Sequence, residues 1–137
     1  MLWGFVMEEF KCMFRVLSLI HTRRGLTASR ANLASSENPL FLTAGSIHGR
    51  KFTADDASKI NIPFFNLASE MEGPQDDFIP NIKEGIKEKS VFLLYDDVPH
   101  GFAAARGRWA TDELHKKRAD QAIRDYVDFV KKALDLE

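Results

Sequence analysis

A single cysteine in 137 residues excludes an intramolecular disulfide. Cys12 also stands apart from any C-x-x-C or His/Cys spacing that would hold zinc, so no metal site is expected. A lone thiol fits a reducing compartment, and the cytoplasm is the expected location. Long apolar runs are missing too. In the opening segment MLWGFVMEEFKCMFRVLSLIHTRR there is no early positive region, Glu8 and Glu9 interrupt, and Arg15 splits the best apolar stretch. Neither a signal peptide nor a membrane span is expected. Nor is there an excess of one charge: 19 Lys and Arg stand against 20 Asp and Glu, for a net charge of −1. That balance leaves no electrostatic footprint for nucleic acid or an anionic membrane. Arg23-Arg24 and Lys116-Lys117-Arg118 are expected to be solvated faces.

What is present is an ordinary globular composition, 45% hydrophobic and 28% charged, on a chain of one-domain length. Residues 8–20 place Phe10, Met13, Phe14, Leu17 and Ile20 on one helical face. The polar stretch TRRGLTASRANLASSENP, residues 22–39, reads as a loop. From residue 40 the pattern becomes regular. LFLTAGSI, residues 40–47, suits a buried strand. Thr53 and Asp56 form a capping-box-like start to a short helix, with Asp in place of Glu. FFNLA, residues 64–68, is a second strand, and Pro80 opens a helix bearing Ile82 and Ile86 on one face. VFLLY, residues 91–95, is a third strand whose unbroken apolar run suits cover on both faces. Residues 111–136 lack Gly and Pro and carry a stripe of Ala119, Ala122, Ile123, Tyr126, Val127, Val130, Ala133 and Leu134. The alternation predicts an α/β domain: a parallel sheet of three or four strands flanked by helices and closed by a long C-terminal amphipathic helix.

In such sheets function gathers beyond the carboxyl ends of the strands, which directs attention to residues 69–78 and 96–109. His100, just past VFLLY, suits general-base work near neutral pH. Asp76, in Asp76-Asp77-Phe78-Ile79-Pro80, could orient that histidine or simply cap a helix. Glu70 and Glu72 in the same loop are rival acids.

The order strand, acid loop, helix, strand, histidine loop, long helix is that of the second half of an α/β-hydrolase. Ala44-Gly45-Ser46-Ile47-His48, Phe52 to Asp56, Pro63 to Glu70, Gln75 to Pro80 and above all His100-Gly101-Phe102-Ala103-Ala104 resemble the dienelactone hydrolase family. The resemblance makes residues 1–137 a single, partial domain of that type, with a divergent segment at 1–39 and a family-like half at 40–137. It implies hydrolysis of a small-molecule carboxylic ester or lactone through a Cys or Ser nucleophile, with no cofactor. By position His100 would be the base, Asp76 the orienting acid with Glu72 as alternative, and Arg106 a contact for a substrate carboxylate.

The family's nucleophile elbow, G-x-C-x-G or G-x-S-x-G, has no counterpart in the chain. Gly4-Phe5-Val6-Met7-Glu8 sits where it would be, with Val6 at the nucleophile position. Cys12 falls inside the helix-like stretch, and Ser46 inside a strand-like one. The expectation is therefore a hydrolase-type chain inactive by itself. The alternative is a non-catalytic interaction module pairing through an exposed sheet edge. A second copy, or an N-terminal half carrying the missing strands, would cover that edge.

Overall fold

The computed structural model describes residues 42–49, 51–104 and 107–136. The readings at Val6, Cys12, residues 8–20, residues 22–39 and Arg106 lie outside these. Among the described residues the order is β1 (Ala44–Ile47), α1 (Ala54–Ser58), β2 (Phe64–Ser69), a 3-10 turn (Ile79–Asn81), α2 (Glu84–Lys87), β3 (Val91–Tyr95) and α3 (Glu113–Ala133). The strands form one parallel sheet in the order β1-β2-β3. Ala44 pairs with Phe64 and Ile47 with Leu67; Phe65 pairs with Val91 and Ser69 with Tyr95.

Side-chain caps start α1 and α3. The Thr53 amide donates to the Asp56 carboxylate at 3.0 Å and the Asp56 amide donates to Thr53 Oγ1 at 3.2 Å, a complete capping box. Asp does the work of Glu here because its carboxylate reaches both the Thr53 amide and hydroxyl. Helix α3 begins at Asp112, whose Oδ1 accepts from the amides of Leu114 and His115 at 3.0 and 3.2 Å. The helix expected at Pro80 is a 3-10 turn followed by four residues of α-helix, Glu84–Lys87.

Side chains alternate across the sheet, so each strand feeds two cores. On one face Phe65, Leu67 and Tyr95 pack with Ala122, Tyr126, Phe129 and Ala133 of α3, and with Val98 and Phe102. On the other, Phe64 packs with Phe52, Ala57, Ile60, Phe78 and Ile82. Each fully buried aromatic contributes roughly 2–3 kcal/mol. The buried positions of α3 are His115, Ala119, Ala122, Tyr126, Phe129 and Ala133, which recur every three or four residues. Ile123, expected in the stripe, is 50% exposed, and Phe129, omitted from it, is 1% exposed. Hydrophobicity alone marked Ile123, whereas the helix's rotation on the sheet favours Phe129 (centroids 5.6 Å from Phe65).

The strand covered on both faces is β2, every residue of which is buried. β3, which the sequence marked for that position, is an edge among the described residues, with Leu94 40% exposed. An apolar run reports that a strand is buried somewhere; its place in the sheet comes from pairing.

Candidate functional site

Parallel pairing brings the carboxyl ends of all three strands to one edge. His48 follows β1, Glu72 follows β2 by three residues, and His100 follows β3 by five. Two backbone hydrogen bonds tie these ends together: the His48 amide donates to the Leu67 carbonyl at 2.7 Å, and the Glu70 amide to the Val98 carbonyl at 3.2 Å.

At this edge Glu72 and His100 are paired, with Nδ1 of His100 2.6 Å from Oε1 of Glu72. The other carboxylate oxygen, Oε2, accepts from the Ser69 amide at 2.8 Å and the Ser69 hydroxyl at 2.5 Å. The Glu72 side chain is 8% exposed and that of His100 33%. A carboxylate only accepts, so the proton of this bond belongs to Nδ1, and in the neutral ring the lone pair is then on Nε2. The bond thereby sets the tautomer and restrains the Nδ1 side of the ring.

The acid loop is held to the sheet by Gln75. Its Nε2 donates to the Leu93 carbonyl at 2.8 Å, and its Oε1 accepts from Asn66 Nδ2 at 2.7 Å. Both ends of one amide are thus satisfied, one on β2 and one on β3. Beside Glu72 lies a narrow crevice of about 10 Å³, bordered by Gly49, Asn66, Ala68 and Gln75, with room for about one water.

On the histidine side, Gly101 has φ of +86°, a conformation that L side chains resist. The tight turn it permits buries Phe102, whose carbonyl accepts from Trp109 Nε1 at 2.7 Å. The Arg108 amide donates to Nδ1 of the buried His115 at 3.2 Å, anchoring the returning chain on α3. Arg118 reaches back to Asp97 through bonds of 2.6–3.0 Å and lies 4.6 Å above the Tyr95 ring. Burial is the main cause that raises the Tyr95 phenol pKa, followed by its hydrogen bond to Asp125.

Of the three acids named from the sequence, the one brought to His100 is Glu72. Asp76 is exposed, four residues further along a loop whose turn at Ser69–Gly73 points Glu72 inward. Position in the resemblance favoured Asp76, whereas the turn at Ser69–Gly73 brings Glu72 to the histidine. Glu70 is also exposed. Ser46 lies within β1, 1% exposed, and its hydroxyl has no hydrogen-bond partner among the described residues. The residue not singled out from the sequence is His48. It is buried, adopts φ of +42°, and sets its ring edge-on to His100 (centroids 5.4 Å) and to Phe102 (5.5 Å). A histidine just after a strand, before a glycine, was its only signal. Among the described residues no three His, Cys, Asp or Glu side chains are grouped to hold a metal. No helix among them is long and apolar enough to cross a membrane.

Comparison with protein-family models, with curated proteins and with solved structures finds no match for this chain.

Proposed function

We propose that this chain carries the acid and base of a dienelactone-hydrolase-type α/β-hydrolase, acting on small carboxylic esters or lactones in the cytoplasm. One observation carries the reading: a buried carboxylate, Glu72, holds Nδ1 of a partly exposed histidine, His100, at the carboxyl edge of a parallel sheet. In that arrangement His100 Nε2 takes the proton of an attacking hydroxyl or thiol and later returns it to the leaving alkoxide. Glu72 keeps the ring in the correct tautomer and stabilises the imidazolium while it exists. The strand, acid, strand, histidine and helix order supports the same reading.

The reacting nucleophile is the part left unfilled. The sequence has no elbow motif. Of the described serines near this edge, Ser69 donates to Glu72 and Ser46 is buried in β1. The dyad therefore depends on a nucleophile from another segment or another polypeptide, and Arg106 stays the proposed contact for a substrate carboxylate.

The test is labelling of the full chain with a fluorophosphonate and with iodoacetamide, alongside hydrolysis of p-nitrophenyl acetate. Where a segment of this chain supplies the nucleophile, labelling or turnover falls at least tenfold in both His100→Ala and Glu72→Ala and is unchanged in Asp76→Ala. Labelling indifferent to His100 would remove hydrolysis. It would favour the second reading, an interaction module pairing through β3, where Leu94 is 40% exposed at the sheet edge.

A further inference from the structure

We infer that His48 is a positioning residue for His100, forming with Glu72 a cage that fixes the imidazole. The inference rests on the reading of His100 as the base. Glu72 holds one atom of the ring, Nδ1, and so restrains that side of the imidazole. A neighbour packed against the ring is needed to hold the aim of Nε2. His48 is that neighbour, meeting His100 at 5.4 Å between centroids with an interplanar angle of 75°. This is the edge-to-face geometry favoured between π systems.

The cage wall is itself braced. His48 meets Phe102 at 5.5 Å and 69°, and Phe102 meets Tyr95 at 5.9 Å. Phe102 is 0% exposed, so His48 rests on the core that α3 shares with the sheet. The backbone places the ring there at a cost. With φ of +42°, His48 occupies the left-handed region, sparsely used by residues other than glycine and associated with sites where geometry has been purchased by strain. The strand end is held in that turn by the His48 amide donating to the Leu67 carbonyl at 2.7 Å.

The test reads the tautomer of His100 by two-bond proton–nitrogen correlation on the full chain labelled at histidine nitrogen. Downfield proton spectra follow its Nδ1–H. The parent is expected to show one dominant tautomer and a resolved Nδ1–H. His48→Phe keeps a ring at the same backbone angle and should retain both. His48→Leu removes the ring at the same backbone position; it should broaden the Nδ1–H beyond detection and raise the minor tautomer several-fold. Circular dichroism reports whether each variant is folded, and if His48→Leu is not, His48→Ala takes its place. A folded Leu or Ala variant with the parent's signals overturns the inference, as does a Phe variant that loses them. A parent without the Nδ1–H signal would instead sink the Glu72–His100 pairing, which Glu72→Ala checks independently.

Discussion

Truncation of Glu72 to alanine separates the two acids that the sequence left open. The side chain accepts three hydrogen bonds at 2.5, 2.6 and 2.8 Å and is 8% exposed. Its loss leaves the Ser69 amide, the Ser69 hydroxyl and His100 Nδ1–H without their acceptor. Bonds to a charged group contribute roughly 1.5–3 kcal/mol each, and a buried donor left unsatisfied costs about 1–3 kcal/mol. The His100 ring can turn to solvent and the Ser69 hydroxyl can rotate, so the full sum is not expected. The buried Ser69 amide has neither escape. A loss of about 3 kcal/mol follows for Glu72→Ala, against less than about 0.5 kcal/mol for exposed Asp76→Ala. In urea unfolding with a slope of about 2 kcal/mol/M, the Glu72 variant's midpoint falls by about 1.5 M while the Asp76 variant's stays put. Equal midpoints for Glu72→Ala and the parent would refute the buried network, and a large fall in Asp76→Ala would return the acid's role to Asp76.

Other perturbations follow from the packing. A Cβ added at Gly45 would lie 2.5 Å from Tyr126 Cε2 and 3.4 Å from Phe65 Cβ. Gly45→Ala should therefore destabilise by roughly 1–3 kcal/mol through overpacking, read as a lower thermal midpoint. Gln75→Ala unpairs the Leu93 carbonyl and the Asn66 amide; we expect about 1–2 kcal/mol of destabilisation and faster hydrogen exchange at the amides of residues 70–73. Burial pushes the Tyr126 phenol up to about 12, above its unfolded value near 10. Its contribution is fully present below about pH 10, where both states hold the proton, and is lost as pH rises through 12 because the unfolded state ionises first. Stability should fall by roughly 2–3 kcal/mol across that window, and Tyr126→Phe should lessen the fall, as followed by alkaline unfolding monitored by circular dichroism.

Patterns that act over a few residues were legible in the sequence. The Thr53–Asp56 capping box, the strand at 64–68 and the long C-terminal helix depend on local hydrogen bonding and on spacing along one chain, and each stands close to where the pattern put it. The parallel α/β arrangement was legible for the same reason, since alternation of strands and helices leaves few ways to bury both faces. His100 was legible because a histidine after an apolar strand has a predictable place, at the sheet's carboxyl edge.

Tertiary structure decided what depends on distance between segments. Glu72 and Asp76 differ by four positions in one loop, and only the turn at Ser69–Gly73 with the Gln75 brace turns one inward and leaves the other in solvent. Ile123 and Phe129 are both apolar residues of one helix, and contact with Phe65 selects Phe129. β2 rather than β3 is central because pairing, not hydrophobicity, orders strands. His48 meets His100 across 52 positions of sequence through a left-handed turn that composition does not announce. Hydrophobic spacing and capping are properties of a segment; a carboxylate–imidazole hydrogen bond, a ring contact and a strand order are properties of pairs, and a pair exists only once the chain has folded.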